Sequence, residues 1–199
     1  MSDPGYWDER YSSAGQLWSG APNLVLVDVV AALPAGRALD VGCGEGADAV
    51  WLAQRGWVVT ALDVSGVALQ RAAAHAHDAG VDIRLVHAGL VEAEIDPGGF
   101  DLVSAQYPVL AKSLGSVAEH ALLDAVAPGG TLLVVHHAEF QDGHAHDGID
   151  ASDYVGPWDL VPMLGVAWRI EVDETRERHM TAGAGAHHKA DVVLMARRI

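Results

Sequence analysis

Apolar, β-branched runs alternating with helix-periodic segments predict an α/β fold, a mostly parallel sheet with helices on both faces. Three observations carry that prediction. Five short apolar runs, at 38–41, 57–63, 83–87, 100–105 and 131–137, are separated mainly by helical patterns. A glycine-rich turn, Asp40-Val41-Gly42-Cys43-Gly44-Glu45-Gly46, joins the first run to a helix. The 199 residues, 50% of them hydrophobic, supply apolar surface for one core, and no repeat, linker or low-complexity segment divides them. One domain over 1–199 is expected, with 1–22 as an N-terminal lid segment.

The elements follow in order. Residues 24–33 read as a helix entered through Pro22-Asn23 and closed by Pro34-Ala35-Gly36. Strand 38–41 leads to helix 46–55 and then to strand 57–63, whose Val58-Val59-Thr60 is β-branched. Ser65 is placed to cap a helix over 65–79. Strand 83–87 precedes a turn at Asp96-Pro97-Gly98-Gly99. Strand 100–105 runs into a helix over 109–126, which Ala127-Pro128-Gly129-Gly130 ends before strand 131–137. After a helix over 151–164, residues 166–177 and 190–197 read as a hairpin joined by the Gly-, Ala- and His-rich stretch 179–188.

The formal charge is −15 with only 12 Lys and Arg, so there is no basic footprint for a phosphate backbone. DNA, RNA and anionic membranes are poor partners, and a small molecule is the expected one. No apolar run reaches the ~20 residues that cross a bilayer. The start, Met1-Ser2-Asp3-Pro4-Gly5-Tyr6, lacks the basic and apolar regions of a secretory signal. A single cysteine forbids an internal disulfide and fits a reducing, cytoplasmic setting.

A strand, a tight glycine turn and a helix let backbone N–H groups approach a nucleotide-like ligand. Gly42, Gly44 and Ala47 fit the dinucleotide pattern G-x-G-x-x-G/A as literally as Gly42, Gly44 and Gly46 fit G-x-G-x-G. Asp40, two positions before the first glycine, favours the second pattern. A poorly hydrated carboxylate there would repel a pyrophosphate strongly. It suits a ligand with an ammonium, a sulfonium and no phosphate, and S-adenosylmethionine (SAM) is such a ligand. Asp63 ends the next strand, 21 residues after Gly42, where a carboxylate can accept both ribose hydroxyls. Both ligands use that device, so Asp63 does not choose between them.

With its acid followed by G-x-G-x-G, the chain resembles the class I SAM-dependent methyltransferases. Phe100-Asp101-Leu102-Val103 is similar to the fourth-strand motif of that superfamily, and Ala127-Pro128-Gly129-Gly130-Thr131-Leu132 to the turn before its fifth strand. Trp7-Asp8-Glu9-Arg10-Tyr11, Leu17-Trp18-Ser19-Gly20 and Pro22-Asn23 resemble the N-terminal segment of the tellurite-resistance and thiopurine methyltransferases. The resemblance implies a Rossmann-like, doubly wound, mostly parallel seven-stranded sheet with a C-terminal antiparallel hairpin. It implies methyl transfer from SAM, with S-adenosylhomocysteine as product, to a small-molecule nucleophile such as a thiol or chalcogen oxyanion.

The cofactor-binding residues so implied are Asp40, Gly42, Cys43, Gly44 and Gly46 at the first loop, then Asp63 and Val64. Ala88, Gly89 and Leu90 would flank the adenine, with Ala105, Trp7 and Trp18 completing the set. Trp7, Tyr11 and Trp18 would form a lid or simply pack the N-terminal segment, and Arg10 would pair with the substrate or with acids of the lid. After the third strand the chain departs from the pattern: Val86-His87-Ala88-Gly89-Leu90 offers the adenine amino group no acid before Glu92. Two other readings stay open, a nicotinamide-dependent oxidoreductase and a SAM-binding module without catalysis.

Methyl transfer from a sulfonium is an in-line displacement, and holding nucleophile and methyl carbon in line supplies much of the catalysis. A base is needed only where the nucleophile carries a proton. Candidates for that role, or for orienting the substrate, are His136, His137 and His179. His136 and His137 end the fifth strand, where alternation should turn one of them away from the site. His179 reaches the same edge if the sixth strand runs parallel to the others. His144, His146, His187 and His188 lie in loops and read as solvated side chains rather than as a metal site. Cys43 reads as a small packing residue rather than a nucleophile.

Overall fold

In the computed structural model, which describes residues 3–141, 153–178 and 187–199, helices α1 (Pro4–Ser12) and α2 (Leu24–Val30) precede strand β1 (Arg37–Val41). Then come α3 (Ala47–Ala53), β2 (Val58–Asp63), α4 (Gly66–Asp78), β3 (Arg84–His87) and β4 (Phe100–Gln106). Helix α5 (Val117–Ala125), β5 (Val126–His137), α6 (Pro157–Leu160), β6 (Trp168–Glu177) and β7 (Ala190–Arg198) complete the order.

The seven strands form one sheet in the order β3-β2-β1-β4-β5-β7-β6. Strands β1 to β5 pair in parallel, and β7 lies antiparallel between β5 and β6. Strand β6 therefore runs in the direction of β1 to β5, the condition that brings its C-terminal end to the ligand edge. Alternation along the strands splits the core in two. Leu39, Val41, Val103, Leu132 and Leu194 pack with α5 and α6 on one face, while Ala38, Val59, Leu102, Leu133 and Val193 pack with α2, α3 and α4 on the other. Chain order reverses between β1 and β4, so their carboxyl ends open a crevice where doubly wound sheets bind ligands. Strand β6 is an edge, and Arg169, Glu171, Asp173, Glu174 and Arg176 along it discourage further pairing.

Local chemistry corrects several expected boundaries. Helix α1 was not expected, although Asp3 accepts from Gly5 N at 2.9 Å and Pro4 stands where a missing N–H costs nothing. The helix expected over 109–126 begins only at Val117, because Gly115 and Ser116 both adopt left-handed backbone (φ 81° and 51°). The segment between β4 and α5 is left as a cavity wall. Of the helix expected over 151–164, only Pro157–Leu160 is α-helical, with a 3-10 turn at Val161–Met163. Pro162 has no N–H to continue the ladder. Residues 151 and 152 lie outside the described ones. Strand β5 starts five residues early, and its pairing with β4 shifts register between Phe100 and Leu102, opposite Pro128-Gly129-Gly130. Ser65 caps α4 as expected, accepting from Ala68 N at 3.1 Å. No helix of the described residues is long and apolar enough to cross a membrane.

Candidate functional site

A cavity of about 910 Å³ fills the crevice and reaches from the glycine loop to the ends of β5 and β6. The loop hangs from β2: Gly42 N and Cys43 N both donate to Leu62 O, at 2.9 and 3.0 Å. Its glycines serve three different ends. A Cβ on Gly42 would meet nothing within 4 Å, so this backbone is bare toward the cavity. A Cβ on Gly44 would stand 2.8 Å from Tyr11 Oη. One on Gly46 would stand 2.8 Å from Ala72 Cβ. Gly46 thus allows α3 to pack on α4, and among the loop residues expected at the cofactor it is the one that does not line the cavity. Ala105 is likewise absent from the lining and is buried in the core. Strand alternation turns it inward, and the next residues, Gln106 and Tyr107, face the crevice instead.

Three buried acids surround the loop. Asp40 is 2% exposed and lines the cavity, and among the described residues its Oδ2 has no hydrogen-bond partner. Burial, then the charges of Asp48 and Asp63, push its carboxyl well above the usual range. Asp48 holds the entry to α2, accepting from Asn23 N at 2.7 Å and Asn23 Nδ2 at 2.8 Å. Asp63 ties the loop to the next helix, its two oxygens accepting from Gly44 N and Ser65 N, each at 2.9 Å. Burial raises its carboxyl too, against those hydrogen bonds. The Cys43 thiol is pushed up by burial and by Asp40 and Asp63, which keeps it protonated and unreactive.

The N-terminal segment closes one side of the cavity. Glu45, inside the glycine loop, accepts from Leu17 N (3.1 Å) and Trp18 N (3.0 Å) and pairs with Arg71 at 2.8 Å. Arg71 donates to Tyr11 O and Ala14 O as well. Trp18 Nε1 donates to Tyr11 Oη at 2.9 Å, and Trp7, Tyr11 and Trp18 all line the cavity. Glu45→Ala removes the centre of this latch. Amide hydrogen exchange at Leu17 and Trp18 should accelerate at least tenfold, about 1.4 kcal/mol of lost protection. Unchanged exchange there would show that the ring packing alone holds the segment.

Val64, Ala88, Gly89 and Leu90 line the cavity beyond Asp63. Glu92 folds back against Gly89 and lines the cavity too, so a carboxylate does reach this part of the wall.

At the far end, His136 and His137 both line the cavity, although one was expected to point away. The strand ends at His137, and the chain turns there into a 3-10 turn at Ala138–Phe140, so the cavity wraps around the strand tip. His136 is held by backbone on two sides. Its Nδ1 accepts from His137 N at 2.9 Å, and it also hydrogen-bonds the backbone of Pro108, which has only a carbonyl to offer. Burial, then His137, push it down to about 4.

A folded-state value below the unfolded 6.5 means that the unfolded chain takes up the proton first. The stability this neutral ring confers is complete above pH 6.5 and is lost as the pH falls toward 4, up to about 3 kcal/mol at 1.36 kcal/mol per unit. Urea unfolding should show a steeper acid loss over that window in the native protein than in His136→Asn. Parallel curves would contradict the assignment.

His137 lies in a different setting. Its Nδ1 meets Asp191 Oδ1 at 3.2 Å, and its ring stacks between Tyr107 (centroids 4.3 Å) and His188 (3.6 Å). Tyr107 Oη donates to Asp191 Oδ2 at 2.9 Å, and Arg178 Nη1 contacts both Tyr107 Oη and, at 3.1 Å, Asp191 Oδ2. Tyr107 keeps a φ of 53°, a strained backbone for a bulky residue, of the kind found at functional sites. His179, His144 and His146 lie outside the described residues, and no group of three or more potential metal ligands occurs among the described ones. Sequence reasoning missed Glu45, Asp48, Arg71, Tyr107, Arg178 and Asp191. Only Glu45 carried a signal, as a charged residue inside a glycine loop.

Comparison with known proteins agrees with this geometry. Residues 38–130 match the family described as a methyltransferase domain. An uncharacterized methyltransferase of Mycobacterium tuberculosis is 38% identical over 110 residues, which span 55% of this chain and 55% of that protein. The match thus spans about half the length of the curated relative. A solved structure concerned with conversion of a disulfide bond into a thioacetal group during echinomycin biosynthesis superposes with a TM-score of 0.76 and 21% identity, covering 98% of this chain and 92% of that one. TehB from Haemophilus influenzae gives 0.69 and 15%, covering 98% and 67%. At such identities these two establish likeness of fold. Over residues 38–130, then, the chain is similar to a methyltransferase domain, and its fold is shared with these solved structures.

Proposed function

We propose that the protein transfers the methyl group of SAM to a small-molecule nucleophile and releases S-adenosylhomocysteine. The observation that carries this reading is the acidic ring under the glycine loop, where Asp40 keeps an unpartnered oxygen beside the cavity. A pyrophosphate would add negative charge to Asp40, Asp48 and Asp63, whereas an ammonium and a sulfonium offset theirs. In this reading Asp40 and the backbone of Gly42 to Glu45 hold the methionyl end. Asp63 takes the ribose, and Val64, Ala88, Gly89 and Leu90 wall the adenine with Glu92 at its edge. Trp7 and Trp18 cover the bound cofactor, leaving the Tyr107 and His137 end of the cavity for the acceptor. When bound, SAM supplies an electrophilic methyl carbon, and the chain's part is to orient the acceptor, exclude water and accept any proton released. The N-terminal resemblance to the tellurite-resistance and thiopurine branch supports a thiol or chalcogen nucleophile. The test is turnover of SAM to S-adenosylhomocysteine, by chromatography, with thiols, phenols, selenite and tellurite. Product with any of them supports the reading. Tight SAM binding without turnover on any acceptor would instead favour a binding module.

A further inference from the structure

Nothing in methyl transfer itself requires a histidine held by a carboxylate, yet one lies at the acceptor end of the cavity. Because Nδ1 of His137 faces Asp191 Oδ1 at 3.2 Å, the carboxylate selects the tautomer with hydrogen on Nδ1. Nε2 is then a lone-pair acceptor, and no partner meets it among the described residues. The carboxylate is itself fixed by Tyr107 Oη at 2.9 Å and Arg178 Nη1 at 3.1 Å, so the ring cannot turn without breaking that set. This is the base-and-orienter arrangement of nucleophile-activating sites, built from β5, β7 and the residues following β4 and β6. Arg178, the cation beside it, is already engaged with Asp191, and Lys112, elsewhere on the cavity wall, pairs with Asp159 at 2.8 Å. Flat rings make up much of the wall: His136, His137, His188, Phe140 and Tyr107.

We infer that His137, oriented by Asp191, accepts the proton of an acceptor that arrives neutral and protic, a hydroxyl or un-ionised thiol on a flat apolar body. The inference rests on the methyl-transfer reading and narrows its acceptor, excluding the preformed chalcogen oxyanion. The acceptor's lone pair forms the bond to the methyl carbon while the carbon–sulfur bond breaks and its electron pair returns to sulfur. The acceptor's proton passes to Nε2, and Asp191 stabilises the resulting imidazolium until solvent removes the proton. The groups that face His137 and set its titration are Asp191 from β7, Arg178 after β6, Tyr107 after β4, Glu139 in the 3-10 turn, and the rings of His136 and His188.

Two measurements test it. In histidine-labelled protein without SAM, nitrogen-15 NMR should show neutral His137 with its hydrogen on Nδ1, and Asp191→Asn should lower its titration midpoint. Hydrogen on Nε2 in the native protein overturns the inference. In the kinetic arm, catechol, 2-naphthol and benzyl mercaptan are compared with selenite and tellurite. Turnover is expected with neutral acceptors. His137→Gln should then lower kcat about 10²–10⁴-fold while leaving the SAM Kd within about twofold. Asp191→Asn should move the acid limb of the kcat/KM profile to lower pH, a shift that a merely structural carboxylate would not cause. Turnover confined to the oxyanions, or near-native kcat in His137→Gln, overturns the inference while the methyl-transfer reading survives. Failure of the native protein to bind SAM in calorimetry removes that reading instead, and the NMR result still decides the dyad.

Discussion

Gly44→Val should abolish measurable SAM binding, a loss of at least 100-fold or about 2.7 kcal/mol, in a protein that still folds. Two effects add. The native φ of 53° is one a β-branched residue adopts only with strain of about 1–3 kcal/mol. The new Cβ also stands 2.8 Å from Tyr11 Oη and 3.4 Å from Trp18 Nε1. Tyr11 is 3% exposed and its neighbours are latched by Glu45 and Arg71, so the ring cannot retreat without opening the N-terminal segment. The obstruction therefore arises from the covering segment rather than from a ligand atom. A second variant isolates the cause: Gly44→Ala should bind weakly, and adding Tyr11→Phe should restore part of the affinity. No recovery would place the effect in the backbone strain alone.

Asp63→Ala should weaken SAM binding by about 1.5–3 kcal/mol, roughly 10- to 150-fold, the worth of hydrogen bonds to a charged acceptor. The carboxylate acts twice. In the proposed reading it offers its remaining lone pairs to the ribose, and in the structure it pins Gly44 N and Ser65 N, so its loss also loosens the glycine loop. Calorimetry on Asp63→Asn separates the two roles, because the amide keeps one acceptor for the loop. Unchanged affinity in a folded Asp63→Ala would remove the ribose assignment.

The parallel part of the fold was legible because each strand is a short apolar run and each turn carries its own punctuation, as in Asp40-Val41-Gly42 and Asp96-Pro97-Gly98-Gly99. The glycine-loop end of the cavity was legible for the same reason: a loop and the two strands around it bring Asp40, Gly42 and Asp63 together locally. At the far end only the histidines closing the fifth strand were legible, and the partners of His137 were not. Tyr107, His137, Arg178 and Asp191 are up to 84 positions apart, and only the antiparallel placement of β7 between β5 and β6 joins them. No periodicity encodes that juxtaposition. The helix expected over 109–126 failed because Gly115 and Ser116 look harmless within an apolar pattern, and only their left-handed backbone shows the break. Gly46 fitted the motif by spelling, but its missing Cβ serves helix packing against Ala72.

In the proposed function the acidic glycine loop holds a cation-bearing cofactor without phosphate. Isothermal titration of the native protein with SAM, S-adenosylhomocysteine, NADH and NADPH tests it most directly. Saturable one-to-one binding of SAM is expected, weakened in Asp63→Ala and absent in Gly44→Val, with no heat from either nicotinamide. Binding of NADH or NADPH more tightly than SAM would contradict it.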